Sequence, residues 1–504
     1  MPGAVNTYNL AIVFFVGLGS FTYGFNNSIM GTVQGLDSFY QYFDLSSTGP
    51  RASYTTSIIG TVQGIFYAGG IIGCGIVAWL ADKVGRRLSI QITCAICIIS
   101  AIIQAASVHI AMLLVARFFN GVGSSMINTL IPLYQSEVSP PSSRGRMVGS
   151  HGFLIVTGYA HSARKAFAAW TGLGCYFEQN PQIQWRLCLA LQIVAPLLLG
   201  AGSPFFPESP RWLVARGHKD LALDILVQLH DSGVADEEYD LAHQEFAQIE
   251  SHIRQEAEQS DSFLEIMRVP SYRKRFLIAV FVQCLGQSTG VLVVNNYQVM
   301  LYNTLGLYGS MPLMLYGVYT TWAALLNFIG SLVVDRVGRV AMLCIGMVGC
   351  ALCVACEAAM VGKYSGTDNK IGNGFGVFFL FLFVTFYGSC VDAISYVYCA
   401  ELFPMRLRAQ GVATCIMGMF AMTLIYTETA PVGFDQVGWK YYLVFVIIPL
   451  VGAPLMWLKF PETKGLSLEE VARLFGDEVV VSSADGFHED PTDEKSPDVK
   501  LAVK

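Results

Sequence analysis

Apolar stretches of about 20 residues, the length that crosses a bilayer as a helix, recur along the whole chain and are separated by short polar turns. They fall at 9–33, 57–81, 89–107, 110–135, 147–171, 187–206, 276–304, 311–334, 341–361, 375–400, 409–432 and 441–460. The pattern predicts an all-α membrane protein with twelve transmembrane helices in two six-helix halves. The first half covers 1–207 and the second 276–460. Between them, 208–275 is charged and amphipathic, with Leu221, Ile225 and Leu229 on one helical face and Phe246, Ile249 and Ile253 on another. It reads as a cytosolic helical loop. After Pro461 the chain turns polar, and the Asp, Glu, Ser, Pro and Lys of 482–504 cannot build a core, so 461–504 reads as a mostly disordered cytosolic tail. The run from Asn9 is too long for a secretory signal and lacks a basic leader. It is the first spanning helix.

Composition agrees: 53% of residues are hydrophobic and only 13% charged, against about 25% charged in soluble domains. The net charge of -6 comes with no basic stripe interleaved with aromatics, so no nucleic-acid partner is implied. The 13 cysteines lie almost all inside apolar runs, with Cys175 the main candidate for an exposed loop. Cys353 and Cys356 form a C-x-x-C without nearby His or acidic ligands, which points to no metal site. A phosphate loop, a nucleophile elbow and a metal cluster are all missing from the sequence, so neither an enzyme nor a cofactor is expected.

The halves repeat. Ala81-Asp82-Lys83-Val84-Gly85-Arg86-Arg87 follows the second helix, and Val334-Asp335-Arg336-Val337-Gly338-Arg339 follows the eighth. The same turn six helices apart marks a duplicated unit, whose site lies between the halves near mid-membrane. Lys83, Arg86, Arg87, Arg144, Arg146, Arg336, Arg339, Arg406 and Arg408 lie in loops on one side, and few cations, such as Arg51, Lys363, Lys370 and Lys440, on the other. Positive charge stays inside, which puts both termini in the cytosol.

Five motifs carry a family resemblance: Arg117-Phe-Phe-Asn-Gly121-Val-Gly123; Pro132-Leu-Tyr134-Gln-Ser136-Glu137 with Arg144; Pro207-Glu208-Ser209-Pro210-Arg211; Tyr398-Cys-Ala-Glu401-Leu402-Phe403-Pro404 with Arg408; and Pro461-Glu462-Thr463-Lys464-Gly465. Through them nearly the whole chain resembles the sugar porters of the major facilitator superfamily, in their fungal form. The resemblance implies a monomeric plasma-membrane carrier of a sugar or sugar-like polyol, with the lipid bilayer as its surroundings. It also implies a gating network of Asp82, Glu137, Glu208, Asp335, Glu401 and Glu462 with Arg86, Arg87, Arg144, Arg211, Arg339 and Arg408, which would pair the halves in one state and release them in another. The second turn ends in Val340 where the family has a basic residue, and Ala78 and Ser331 stand in place of glycines.

Most of the family's sugar ligands are replaced. Its glutamine on helix 5, first glutamine and asparagine on helix 7 and tryptophan on helix 10 correspond to Gly152, Gly286, Leu292 and Tyr396, and Gln287 alone persists. Compensating candidates are His151, Asn295, Asn296, Tyr297, Gln298, Asn327 and Asp392, with Tyr396 or Trp322 stacking on the substrate. Each has an interhelical hydrogen bond as its alternative role. Asn26 occupies the helix 1 position where proton-coupled sugar porters carry an aspartate and passive ones an asparagine. Together with Arg117 it points to facilitated diffusion. Proton symport through Asp392, Glu357 or Glu428, or a sugar sensor on the same fold, is the alternative. His161 to Phe167 brings two cations into helix 5, interrupting a run from Gly158 to Gly172, and reads as a gene-model artefact or retained intron piece; a lengthened helix whose cations snorkel to the outer surface is the alternative.

The orientation is testable by protease protection in sealed vesicles: segments 208–275 and 482–504 are expected to be cut only from the cytosolic side. Cleavage of the tail from the outer side would reverse the topology.

Overall fold

The computed structural model describes residues 7–46, 49–138, 158–230, 242–247, 249–251, 253, 267–365, 367, 369–403, 407–464, 466 and 468–476. Twelve long helices run through them: α1 Thr7–Val33, α2 Ala52–Val84, α3 Arg86–Ala105, α4 Ile110–Val138, α5 Gly158–Tyr176 and α6 Pro181–Phe205, then α7 Pro270–Thr304, α8 Met311–Val337, α9 Arg339–Tyr364, α10 Lys370–Leu402, α11 Arg408–Val437 and α12 Tyr442–Lys459. Nine stretches of the described residues are long and apolar enough to cross a membrane, and the last, Gln410–Lys459, holds both α11 and α12. With α1 and α5 they make up the predicted twelve. His161 to Phe167 lies inside the unbroken α5 helix, and Phe167 packs against Phe21 and Phe25 of α1 at centroid distances of 5.5 and 6.2 Å.

Two apolar clusters are each built mainly from one half and a third is shared by both, and α2 packs along α11, α5 along α8, and α1 against the outer part of α7. Close approach is made by glycines that have no side chain to displace. A Cβ on Gly121 would lie 2.0 Å from the Phe66 carbonyl oxygen, and one on Gly330 would lie 2.2 Å from that of Ser389. The loop helices cover the first half: Leu213, Val214 and Ala222 cluster with Ile225, Phe246, Ile249 and Ile253, while Leu229 joins the core of that half. Leu221 points to solvent instead of sharing their face. Cys175 is buried at the end of α5, its thiol bonded to that of Cys188, and is not exposed.

The two repeated turns show why their residues recur. α2 and α3 are joined by Gly85 alone, at φ +92°. The first amides of α3 and the last carbonyls of α2 therefore lack intrahelical partners. The Glu208 carboxylate accepts from the N–H groups of Arg86 at 2.8 Å and Arg87 at 3.2 Å, the favoured placement of an anion at a helix N-terminus. Trp212 Nε1 and Arg216 Nη2 donate to the Asp82 carbonyl at 2.9 and 2.8 Å. The Arg86 guanidinium forks onto Glu137 of α4 with two bonds of 2.8 Å and reaches Asp82 at 3.2 Å. Tyr134 donates to the Pro207 carbonyl at 2.8 Å.

The second half repeats this group by group. Gly338, at φ +111°, joins α8 to α9. Glu462 accepts from the N–H groups of Arg339 at 2.8 Å and Val340 at 2.9 Å, so the missing basic side chain at Val340 costs that contact nothing. Lys464 Nζ donates to the Arg336 carbonyl at 2.6 Å, Arg339 forks onto Glu401, and Tyr398 donates to the Pro461 carbonyl at 2.9 Å.

In this state the pairs formed among the described residues each close within a single half. They join the turn to the fourth helix of its repeat and to the segment that follows the sixth, where the turn geometry demands partners. Arg211 is half-buried in the short helix Pro210–Ala215. Arg144 and the side chains of Asp335 and Arg408 lie outside the described residues.

The pair on α3 is the more buried: Arg86 and Glu137 side chains are 9% and 7% exposed, against 11% and 26% for Arg339 and Glu401. Removing one partner of a buried pair strands the other charge, at about 3–5 kcal/mol. Glu137→Ala is therefore expected to lower the thermal midpoint of detergent-purified protein more than Glu401→Ala, which removes the more water-exposed carboxylate and opens its site to solvent. Equal shifts would contradict that ranking.

Candidate functional site

Two helices of the second half are interrupted at mid-depth. α7 breaks at Gly290, whose φ of +83° leaves its would-be Cβ 2.7 Å from the Phe445 ring, so glycine is required there. α10 winds into a π-helical turn over Gly388–Asp392, a wide turn that re-aims side chains and recurs at functional sites. Broken spanning helices are where carriers of this architecture hold their cargo.

A cavity of about 20 Å³ opens between these breaks, lined by Asn295 of α7, by Tyr319, Thr320 and Asn327 of α8, and by Tyr387 and Asp392 of α10, with apolar closure from Val291 and Val384. That is room for about one water, so the site is drawn shut around its polar groups. Asn327 Nδ2 donates to Asp392 Oδ2 at 3.1 Å and to the Ala323 carbonyl at 3.0 Å. The buried Oδ1 of Asn295 and hydroxyl of Tyr319 accept or donate no hydrogen bond among the described residues. Gln287 sits just inside the break, bonded to Tyr387. Tyr396 donates to the Met419 sulfur at 3.1 Å, and Tyr23 of α1 faces Asp392 and Tyr396 from the other half.

Of the expected ligands, Asn295, Asn327 and Asp392 line the cavity, and Gln287 and Tyr396 stand beside it. Asn296 and Tyr297 do not converge on it. Asn296 Nδ2 donates to the Tyr67 hydroxyl at 3.0 Å, and the Tyr297 hydroxyl donates to the Thr427 carbonyl at 2.7 Å. Gln298 donates to Tyr302 at 2.6 Å. Neighbours on a helix point about 100° apart, and Asn295 takes the cavity face. Trp322 is 41% exposed on the outside of α8 and donates to Thr385 at 3.1 Å, so it stacks on no cargo here. His151 lies outside the described residues. Tyr319, Thr320 and Tyr387 went unpredicted. Thr320 and Ala323 lie seven and four residues before Asn327, so the helical period counted back from Asn327 points to that face.

Asn26 and Arg117 come together below α1. Arg117, fully buried, donates from Nη1 to the Asn26 carbonyl at 2.8 Å and lies over the Phe66 ring at 4.4 Å, a cation–π contact. Asn26 Nδ2 donates to Ser124 at 2.9 Å. Arg117 Nε and Nη2 and Asn26 Oδ1 have no hydrogen bond among the described residues. Among those residues no three His, Cys, Asp or Glu side chains converge as metal ligands would.

Two duplicated six-helix halves around a polar site at broken helices define a membrane carrier of the major facilitator fold. The chain belongs to the sugar (and other) transporter family, whose model matches residues 12–475. It is 33% identical over 464 residues to the MFS-type transporter criB of Aspergillus cristatus, covering 92% of each chain. With the sugar transporter STL1 of Saccharomyces cerevisiae the identity is 27% over 474 residues, covering 92% of this chain and 81% of that one. Among solved structures, the proton:xylose symporter XylE bound to 6-bromo-6-deoxy-D-glucose superposes with a TM-score of 0.75 at 20% identity, covering 94% of this chain and all of that one. That likeness establishes the fold.

Asp392 is the one carboxylate on the cavity wall among the described residues. Asp392→Asn keeps the Asn327 contact within reach of an amide but removes the charge. It is expected to change substrate affinity or preference by roughly tenfold, as one charge-assisted hydrogen bond does, with surface expression unchanged. An unaltered uptake profile would leave Asp392 a purely interhelical group.

Proposed function

We propose that this protein moves a sugar or sugar-like polyol across the plasma membrane by alternating access, as a monomer with both termini in the cytosol, and that it works by facilitated diffusion. The observation that carries the reading is the mid-depth cavity between the breaks of α7 and α10, where Asn295, Asn327, Asp392, Tyr319 and Thr320 present amide, carboxylate and hydroxyl groups to one small volume. Such groups suit a cargo bearing several hydroxyls, and Tyr387 supplies an aromatic face. Glucose and xylose transport in relatives supports the cargo class. The loss of the family's helix 5 and helix 10 ligands argues for a different member of that class.

Passive transport rests on Asn26. An aspartate there would gain and lose a proton under the influence of Arg117, linking proton and cargo binding; an amide does not titrate. Proton symport is the second reading, favoured by the cavity carboxylate of Asp392 and by the proton coupling of the structurally similar XylE. The gating role of the paired turns belongs to the same proposal: by stiffening each half, they let the halves rock as bodies.

Uptake by yeast lacking its own hexose carriers, against hexoses, pentoses, disaccharides, polyols and quinate, identifies the cargo. In energised vesicles that cargo is expected to equilibrate without accumulating, and a protonophore is expected to leave the rate unchanged. Asn26→Asp is expected to make uptake depend on pH. Accumulation of cargo by the native chain that collapses with the protonophore would overturn the passive reading.

A further inference from the structure

Side-chain bonds that cross from one half to the other gather on the face opposite the Gly85 and Gly338 turns. Tyr67, midway along α2 and fully buried, donates its hydroxyl to Asn27 Oδ1 at 2.8 Å and accepts from Asn296 Nδ2 at 3.0 Å. One hydroxyl thus ties α1 and α2 of the first half to α7 of the second, using its single proton and a lone pair. Ser28, the next residue on α1, bonds to Tyr316 of α8. Trp170 of α5 donates to Thr321 of α8 at 3.2 Å.

The backbones meet closely at the same level. A Cβ on Gly31 would lie 2.9 Å from the Asn296 carbonyl oxygen, and one on Gly35 would lie 2.7 Å from Val299. Glu428 of α11 lies over Gly60 and Gly64 of α2 and bonds to Thr61; a Cβ on Gly64 would fall 2.4 Å from its side chain. Asn295, one residue before Asn296, lines the cavity, so this seam closes directly over the site.

We propose that Tyr67 is the central gating residue of the outer seam, and that Asn296 serves this gate and not the cargo. In the closed state the Tyr67 hydroxyl holds Asn27 and Asn296 together. Opening toward the outside breaks the Asn296 bond and swings the outer part of α7, which pivots at Gly290, away from α1. The Asn296 amide is then free to bind water, while Tyr67 stays on Asn27. Tyr67 is a positioning residue here: it acts on the path to the cavity through Asn296.

The proposal rests on the alternating-access reading, but its test needs no cargo, so a wrong substrate assignment and a wrong gate fail separately. Val299 is 4% exposed and pressed against Gly35. In Val299→Cys, a membrane-impermeant methanethiosulfonate applied to intact cells reports how often the seam opens, after subtraction of labelling in the parent chain. Adding Tyr67→Phe, which keeps the ring and removes the hydroxyl, is expected to speed labelling roughly two- to tenfold, the effect of losing one or two net hydrogen bonds. Asn27→Ala, which leaves α7 untouched, is expected to do the same. It decides the matter if the phenylalanine variant fails to reach the surface. Unchanged labelling rates in surface-expressed variants would overturn the gate.

Discussion

A one-residue turn between two spanning helices leaves the last carbonyls of one and the first amides of the next without partners, and each half is organised around meeting that demand. A carboxylate from beyond the sixth helix of the repeat caps the amides, as Glu208 and Glu462 do. Cationic or indole donors meet the carbonyls, and the arginine of the turn forks onto the fourth helix of the repeat. Four helices of a half are thereby tied at one end. A surface ion pair contributes little, but these charges sit on helix termini and are largely withdrawn from water, where losing a partner is costly.

With one end of each half tied, the breaks that border the cavity among the described residues belong to the second half. α7 breaks at Gly290 and α10 at its π-turn, and the cavity lies between them. From the first half, Tyr23 faces Asp392, and the buried Arg117 is held by a main-chain carbonyl and a phenyl ring. The duplicated sequence thus yields unequal partners, with the broken helices at the cavity in the second half.

The twelve spans and the duplication were legible because both rest on local signals: apolar runs of fixed length and a turn motif repeated six helices apart. The capping role of Glu208 and Glu462 was not, since it depends on which amides a distant carboxylate meets. Acid and arginine suggested pairing; only the fold says that the pairs stay within one half. In the site, Asn295, Asn327 and Asp392 could be picked out as polar groups in apolar helices. Asn296 and Tyr297 look the same in sequence and face elsewhere. A helix buried on all sides loses the polar and apolar stripes that would separate them. Tyr67 carried no signal at all, because tyrosine in a spanning helix is ordinary.

In both halves the capping carboxylate is made after all six helices. Glu208 follows α6 and Glu462 follows α12, so neither bundle can be fastened until all six of its helices have left the ribosome. The first can then be fastened while the second is still unmade. The chain from Glu208 to the start of α7 at Pro270 takes roughly 3 to 12 s to synthesise at about 5–20 residues per second. The long loop between the halves is therefore also an interval in time, during which one bundle settles in the membrane before the helices that must pack against it arrive.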